Sequence, residues 1–327
     1  MPLIPPFRGV LPAMQLPYDE NYKIDEADLR RFTRRLISHE GIGGLVTNGH
    51  TGEVFALTPA ERAEATRIVA DEAGARVPVV SGICCESIDE ACEHAEMAQR
   101  AGAKGLLIMP PHYWLRFGMQ PEHVIEHFTT IGRAVDINLI VHIYPAWTKA
   151  SYSSALLTEL AKIPTVTTFK IGTRELSKYD RDIRAIRASD PNCTILTCHD
   201  EYLLATLVQG VDGALVGFAS FIPEMITALY RAVCDGDLHA AREIQNRIFP
   251  LKEVVYASGE PSSDAHARMK TAMMLAGRMK SNRVRRPIEV PSGEILQKIT
   301  DAVRDAGLLA PTPAPDEETA EIPVGVN

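Results

Sequence analysis

Residues 77–109 read VPVVSGICCESIDEACEHAEMAQRAGAKGLLIM and contain two short apolar runs on either side of an amphipathic stretch. The runs Val77–Gly82 and Gly105–Met109 have the composition of buried strands, whereas apolar residues recur at steps of three and four in Ile88–Ala101. Gly102 stands where a left-handed residue closes a helix. The segment therefore predicts a strand, a helix and a second strand, the repeating unit of parallel sheets.

The same unit repeats along the chain as far as about residue 233. The predicted strands are Gly9–Met14, Gly44–Asn48, Val77–Gly82, Gly105–Met109, Asn138–Tyr144, Val166–Ile171, Thr194–Cys198 and Gly213–Phe218. An amphipathic stretch follows each of them, and eight strands alternating with eight helices are typical of a closed (β/α)8 TIM barrel, an α/β fold. A doubly wound open sheet is the alternative, but it predicts a GxGxxG turn after an early strand, and the sequence has none there.

The domain organisation follows from where this alternation stops. We predict a catalytic (β/α)8 barrel over residues 1–233 and a helical extension over 234–310 that packs against the side of the barrel, because further helices cannot join a closed sheet. Residues 311–327 carry four acidic residues and four prolines but no Lys or Arg, which predicts a disordered acidic tail.

Composition limits the partners and the compartment. The 327 residues carry 34 Lys and Arg against 42 Asp and Glu, and the formal charge of −8 gives no general attraction for nucleic acid. No apolar run approaches the ~18 residues that a membrane helix needs, so we expect no membrane partner. The N-terminus has no signal-peptide pattern, and the six cysteines lack CxxC spacing. We therefore expect reduced thiols and a cytoplasmic protein.

Lys170 is the candidate nucleophile. Reactive groups of such barrels lie at the carboxyl ends of the strands, and among the ten lysines only Lys170 falls in the carboxyl half of an apolar strand, Val166–Ile171. Burial disfavours an ammonium and leaves a free amine that can attack a carbonyl group. The alternative is a lysine that is paired with a carboxylate or with a ligand phosphate.

Tyr144 ends the preceding predicted strand. Because side chains alternate along strands, we expect its phenol to lie near Lys170 on the neighbouring strand, where it could shuttle protons during imine formation. The alternative is a tyrosine that only caps the barrel core.

The turn after the second predicted strand reads GHTGE, and we refer to Gly49–Glu53 as the GHTGE turn. Gly49 and Gly52 let the backbone come close to a ligand and turn amide hydrogens into the mouth, and Thr51 adds a hydroxyl between them. This combination suits a small anion such as a carboxylate. An ordinary tight turn is the alternative.

Four histidines, His50, His112, His142 and His199, fall near predicted strand ends, so a metal-dependent hydrolase or aldolase is a further alternative. There is no HxH on the first strand and no HExxH motif, and we therefore predict no metal site. His142 precedes Tyr144 by two residues on the same strand face, which favours a core histidine one layer deeper.

Taken in order, these features resemble the class I aldolase superfamily of dihydrodipicolinate synthase and N-acetylneuraminate lyase. The resemblance extends from about Phe7 to Ala306. The matching pieces are Phe7-Arg8-Gly9, the GHTGE turn, Leu57-Thr58-Pro59-Ala60-Glu61-Arg62, Val77-Pro78-Val79-Val80-Ser81-Gly82, Pro110-Pro111-His112-Tyr113, Tyr144 and Phe169-Lys170.

The resemblance implies a Schiff base between Lys170 and the ketone of a 2-oxo acid, typically pyruvate, with no separate cofactor. It implies that Tyr144 is the general acid and base and that Thr51, with the amides of the GHTGE turn, holds the carboxylate. Tyr113 would be the family's second tyrosine, which relays protons and often reaches in from a neighbouring subunit. The family commonly has Thr or Ser where His50 stands, so this chain departs from it there.

Other positions bear on the second substrate. Lys149 stands where dihydrodipicolinate synthase has an arginine for that substrate's carboxylate, and it cannot form the bidentate fork. His199, Asp200 and Glu201 resemble a lyase-branch segment whose Asp-Glu pair contacts substrate hydroxyls, but Gly217 stands where that branch has a hydroxyl residue. Rim aromatic residues predict a bulky or aromatic acceptor, and they are Trp114, Trp147 and Phe218.

The sequence thus favours a class I aldolase that makes or breaks a C–C bond between a 2-oxo acid such as pyruvate and an aldehyde. A sugar-acid dehydratase and a dihydrodipicolinate-synthase-type condensation would use the same lysine imine. A barrel that has lost catalysis and serves as a binding protein is the alternative outside enzymes. We expect a homo-oligomer, a dimer or a tetramer, by analogy with the family.

Overall fold

The computed structural model describes residues 6–146, 148–256 and 264–311. The strands in this part of the chain are β1 (Gly9–Pro12), β2 (Leu45–Thr47), β3 (Val79–Ile83), β4 (Gly105–Ile108), β5 (Asn138–Ile143), β6 (Val166–Ile171), β7 (Thr194–Thr197) and β8 (Gly213–Val216). They form a single parallel sheet in which each strand from β2 to β7 pairs with the next, and β8 also pairs with β1. Isolated bridges from Val10 to Ile42 and from Ala13 to Val46 join the remaining two ends, so the sheet closes into a barrel.

Helices follow the strands and surround the sheet. Those of the barrel are α1 (Glu26–Ile37), α2 (Pro59–Ala73), α3 (Ile88–Arg100), α4 (His112–Phe117), α5 (Pro121–Ala134), α6 (Ser154–Leu160), α7 (Leu176–Ser189), α8 (Leu203–Leu207), α9 (Phe218–Phe221) and α10 (Pro223–Cys234). Three more follow in the described residues, α11 (Leu238–Tyr256), α12 (Ala265–Leu275) and α13 (Gly293–Asp305). The predicted TIM barrel with additional C-terminal helices is confirmed, and the doubly wound alternative is excluded because the sheet closes.

Local sequence signals explain where several helices begin. The Thr58 side chain accepts a hydrogen bond from the Glu61 amide while Glu61 bonds back to Thr58, which is a capping box at the start of α2. Ser87 caps α3 through the Glu90 amide. Gly102 follows α3 with a φ of +102°, a conformation that side chains with a Cβ rarely adopt.

Two short helices are missing from the sequence-based prediction. The α4 helix lies in a segment without a predicted element, because six residues are too few to show a helical period. The predicted strand Gly213–Phe218 extends too far, since β8 ends at Val216 and Phe218 begins α9. A continuous apolar run does not distinguish a buried strand from a buried helical turn.

The core has two parts, one inside the barrel and one between the strands and the helices. The interior is filled by large aliphatic side chains from alternate positions of the strands, and Phe7 closes it at one end. The outer layer packs the opposite faces of the strands against the apolar faces of the helices. Because a parallel sheet is covered in this way on both faces, its strands are almost uniformly buried.

The C-terminal helices pack beside the barrel as predicted and also reach its mouth. The α11 helix contacts α10 and α8, and α13 contacts α11 and α12. Residues at the end of α11 and the start of α12 line the cavity described below. None of the helices in the described ranges has the length and apolar character needed to cross a bilayer. Residues 312–327, where an acidic tail is predicted, lie outside the described part of the chain.

Candidate active site

A cavity of about 340 Å³ opens at the carboxyl ends of the strands. We call it the barrel cavity. Its walls come from strand ends, from the loops that follow them and from the C-terminal extension. The lining residues are Ala13, His50, Thr51, Phe55, His142, Tyr144, Pro145, Lys170, Gly172, Arg174, Cys198, His199, Asp200, Glu201, Leu215, Val216, Gly217, Tyr256, Ala265 and His266. Catalytic groups of TIM barrels lie at this face, so the cavity is the candidate active site.

Lys170 reaches the barrel cavity from β6, and its side chain is partly buried there. Burial lowers the pKa of the Lys170 ammonium, and nearby Cys198 and Asp200 oppose this effect only in part. Within the described residues, Lys170 has no ion-pair partner. The amine therefore lacks the fixed carboxylate that would hold it as an ammonium.

Tyr144 follows β5 directly, and its hydroxyl lies 2.8 Å from Nε2 of His50. The two rings meet edge to face with their centres 5.7 Å apart. Burial raises the pKa of Tyr144, so the phenol is protonated at neutral pH. In the sheet register Lys170 pairs with His142, which places Tyr144 two residues further along the chain, just beyond the end of β5.

The GHTGE turn places His50 and Thr51 in the barrel cavity, whereas Gly49 and Gly52 are buried behind it and do not line it. The Gly52 amide donates to the Gly49 carbonyl at 3.1 Å, and the Glu53 amide donates to the His50 carbonyl at 3.0 Å. The expectation that the two glycines turn amides into the mouth is therefore wrong for Gly52. A glycine at 52 avoids a close contact, because a Cβ there would lie only 3.0 Å from the Met14 carbonyl oxygen.

Asp200 also lines the barrel cavity and accepts three hydrogen bonds from the protein. The donors are the amides of Gly217 and Phe218, at 3.0 and 2.9 Å, and the Tyr256 hydroxyl at 2.8 Å. Burial raises the pKa of Asp200 to about 6, although these bonds act against it. A side chain at Gly217 would begin 3.3 Å from Asp200 Oδ2, so the glycine makes room for this network.

Glu201 and Arg174 form an ion pair beside Asp200. The Arg174 guanidinium donates a hydrogen bond of 2.6 Å to Glu201 Oε1. His199 lies behind them, where its Nδ1 is 3.1 Å from the Thr197 hydroxyl and its ring stacks on Tyr202. Asp200 and Glu201 thus both line the barrel cavity, but their carboxylates already contact groups of the protein.

Histidines other than His50 also surround the cavity. His142 is buried, and its Nδ1 has no hydrogen-bond partner among the described residues. Burial lowers the pKa of His142 and that of His199, the latter to about 4, so both rings are neutral at neutral pH. His266, from α12, completes this side of the wall.

A separate cluster with metal-ligand chemistry lies outside the cavity, in the described part of the chain. It consists of Cys85, Glu90 and His94. An Arg62 guanidinium nitrogen lies 3.1 Å from His94 Nδ1, and the cation opposes a bound metal ion there. This cluster does not line the barrel cavity, and the histidines of the cavity do not belong to it.

Several residues that the sequence places near the substrate lie elsewhere. Lys149 is exposed and does not line the barrel cavity. Tyr113 is 45% exposed on α4 and also lies outside the barrel cavity. The expectation of rim aromatics is wrong for Trp114 and Phe218, because α4 turns Trp114 inward against His127 and Phe218 is buried. The third predicted aromatic, at position 147, lies outside the described residues.

The structure adds lining residues that sequence reasoning missed. Arg174 lies four residues beyond Lys170, so the rule of strand ends could have found it. Phe55 lies just beyond the GHTGE turn and stacks on His50. Tyr256 and His266 come from the C-terminal extension, and no motif in the sequence links their helices to the mouth.

Comparisons with known proteins match nearly the whole chain. The model of the dihydrodipicolinate synthetase family matches residues 6–306. A 4-hydroxy-tetrahydrodipicolinate synthase of Methylobacterium radiotolerans is 32% identical over 305 residues, which cover 92% of this chain and 96% of the relative. An uncharacterized DapA-like lyase of Thermofilum pendens is 29% identical over 304 residues, covering 92% of this chain and 98% of the relative.

Solved structures show the same fold. YagE, a prophage protein of the dihydrodipicolinic acid synthase family from Escherichia coli K12 that was solved in complex with pyruvate, superposes with a TM-score of 0.84 at 24% identity. The alignment covers 92% of this chain and 99% of YagE. The chain belongs to the dihydrodipicolinate synthetase family. It is an enzyme, a carbon–carbon lyase of the dihydrodipicolinate synthase type.

Proposed function

We propose that the chain is a class I aldolase in which the Lys170 amine condenses with the ketone of a 2-oxo acid such as pyruvate. The observation that carries this proposal is the position of Lys170, in the barrel cavity and without an ion-pair partner among the described residues. The lowered pKa of Lys170 favours the neutral amine, which is the form that attacks a carbonyl group. The names of the curated relatives agree with a lyase of this kind.

Other residues of the barrel cavity take the roles that the chemistry requires. Tyr144 protonates the oxygen that leaves during imine formation and later exchanges a proton with the substrate. Thr51 donates its hydroxyl to the substrate carboxylate, and the His50 and Thr51 amides, which make no backbone hydrogen bond among the described residues, add two donors. The covalent imine is the electron sink, so this proposal requires no separate cofactor.

The second substrate is an aldehyde that occupies the outer part of the barrel cavity. There Arg174, Glu201 and His266 offer polar groups, and Phe55 offers an aromatic face. Lys149, which lies outside the cavity, does not bind this substrate in the proposal. Tyr113 completes the site only from a second copy of the chain, since its exposed position on α4 is outside the cavity of its own subunit.

The test is to trap the imine. The protein is incubated with pyruvate and sodium borohydride, digested, and analysed by mass spectrometry. We expect a pyruvate-derived mass increase on Lys170 that is absent in Lys170→Met and retained in Lys162→Met, a control in which the lysine is exposed and pairs with Glu159. A wild-type protein without the adduct would refute the proposed function. A panel of aldehydes added to the pyruvate-loaded enzyme then identifies the acceptor.

A further inference from the structure

His50 is the only hydrogen-bond partner of the Tyr144 hydroxyl in the described part of the chain. Its ring is held in place by contacts on two sides. Phe55 stacks on it with ring centres 5.0 Å apart and an interplanar angle of 24°, and Tyr144 meets it edge to face. The imidazole therefore faces the phenol in a fixed orientation rather than turning freely at the mouth.

The neighbouring histidine does not share this arrangement. His142 lies with its ring centre 4.9 Å from that of Tyr144, but the two rings are tilted and no hydrogen bond joins them. His142 is therefore a packing neighbour of the phenol, and His50 is the group placed to exchange a proton with it.

An imidazole can do what a hydroxyl cannot. A serine or threonine hydroxyl passes a proton on only when it receives another at the same time, whereas a neutral imidazole can accept a proton and keep it. At the position of His50, the chain thus has a group that can hold a proton between two chemical steps.

The charges around His50 agree with such a role. Burial is the main cause that lowers the pKa of His50 to about 3, and the positive charges of Lys170, His266 and His112 contribute to the same shift, so the imidazole is neutral in the resting enzyme. When an iminium ion on Lys170 becomes a neutral enamine, one of these positive charges disappears. The pKa of His50 then rises at the moment when a base is needed.

We propose that His50 accepts, through Tyr144, the proton that the substrate loses at cleavage and returns it to the enamine. This inference rests on the proposed function. The bond between C3 and C4 breaks, and its electron pair reduces the positive charge on the imine nitrogen, giving a neutral enamine. The C4 hydroxyl gives its proton to the Tyr144 oxygen while Tyr144 gives its own to His50 Nε2, so the aldehyde leaves and an imidazolium remains.

The return transfer closes the cycle. The imidazolium gives its proton to the Tyr144 oxygen as Tyr144 protonates C3 of the enamine, which restores the iminium ion and the neutral imidazole. One positive charge is present throughout, first on the iminium nitrogen, then on the imidazole and finally on the iminium nitrogen again. Water then releases the 2-oxo acid from Lys170.

The experiment uses pyruvate in D2O, because exchange of its methyl hydrogens requires the same proton transfer without an acceptor. Exchange is followed by proton NMR for wild type, His50→Gln, Tyr144→Phe and the double variant. Glutamine keeps a hydrogen-bonding group near the phenol but cannot be protonated. We expect exchange to be about 100-fold slower in His50→Gln, while borohydride trapping on Lys170 persists. The double variant should be no slower than Tyr144→Phe, because His50 acts only through Tyr144.

His127→Gln is the matched control, since His127 is another buried histidine but lies between Trp114 and Phe128, away from the barrel cavity. Its exchange rate should equal that of wild type. If His50→Gln does not fold, as judged by circular dichroism, His50→Ala with added imidazole replaces it, and imidazole should restore exchange.

Three outcomes would overturn the role of His50: exchange in His50→Gln within threefold of wild type, a double variant slower than Tyr144→Phe, or no rescue of His50→Ala by imidazole. Absence of trapping in wild type would instead refute the proposed function itself. The two failures are thus distinguished by the adduct on Lys170.

Discussion

The carboxylate of Glu53, the last residue of the GHTGE turn, forms an ion pair with the ammonium group of Lys270 on α12, and both side chains are almost completely buried. Lys270 also donates to the Arg283 carbonyl at 2.9 Å and lies 4.3 Å from the centre of the Tyr18 ring. The Arg285 amide donates to the second Glu53 oxygen at 2.8 Å. The extension therefore fixes the turn that carries His50 into the barrel cavity.

Lys270→Met should destabilise the protein strongly. Removal of one partner leaves a buried carboxylate without its counter-ion, and such a change lowers the free energy of unfolding by about 3–5 kcal/mol. The measurement is urea unfolding followed by circular dichroism. The double variant Glu53→Gln/Lys270→Met should recover part of the loss because no charge stays buried. Lys298→Met removes an exposed pair on α13 and should leave the urea midpoint unchanged.

Asp200→Asn should lower stability and leave imine trapping on Lys170 in place. The Asp200 carboxylate accepts bonds from two amides and from Tyr256, and an asparagine NH2 group in place of one oxygen would face a donor. An unsatisfied buried donor destabilises by about 1–3 kcal/mol. Urea unfolding measures the change, with the exposed Asp305→Asn as the control. An unchanged urea midpoint would show that the network is not needed for folding.

Acid should destabilise the protein through its buried neutral histidines. Burial lowers the pKa of His127 to about 4, below its value in the unfolded chain. Between about pH 6.5 and pH 4, the unfolded chain is protonated at this site while the folded protein is not. The stability that is present above pH 6.5 is therefore lost as the pH falls through this window. For His127 the loss is roughly 2 kcal/mol between pH 7 and pH 4.5.

Urea unfolding of wild type and His127→Gln at these two pH values tests this. Glutamine does not titrate, so the variant should lose less stability on acidification than wild type. An equal loss in both proteins would contradict the assignment of this window to His127.

Tyr113 should act in the cavity of a neighbouring copy if the proposed oligomeric site is correct. Tyr113→Phe and Lys170→Ala should each reduce activity by at least about 100-fold when assayed alone, because each removes a group that the chemistry requires. Mixing the two variants, with exchange of subunits, should restore activity, since some cavities then receive an intact Lys170 and the partner's Tyr113. Light scattering gives the oligomeric state of the mixture. A monomer with full activity would contradict this prediction.

Much of the site follows from the sequence because the barrel geometry brings strand ends together. Lys170 lies near the end of a strand with a clear apolar pattern, and Tyr144 and the GHTGE turn follow two other such strands. Their place at one face of the barrel is therefore predictable from the sequence. Their contacts are less predictable. The bond between Tyr144 and His50 joins residues 94 positions apart and depends on how the turn is held.

The positions at which the sequence-based prediction differs from the structure have physical explanations. The sequence predicts Trp114 at the rim because a segment after a strand normally forms a loop, but the six residues of α4 turn its ring into the core. His266 and Tyr256 were missed because α11 and α12 have the periodicity of ordinary packed helices, which does not show that their ends meet a cavity. Only the resemblance to the family predicts Lys149 near the second substrate, and the loop leaves this lysine exposed.

The wall that Tyr256, Ala265 and His266 contribute belongs to helices outside the eight-stranded sheet. Lys170 lies on β6 and Tyr144 directly after β5, so the positions of both depend on the sheet, whereas this wall can vary with less consequence for the sheet. For the proposed aldol reaction, selection for a new aldehyde can therefore act on the appended helices first. Engineering of acceptor preference should begin with a library at positions 265 and 266, leaving the barrel untouched.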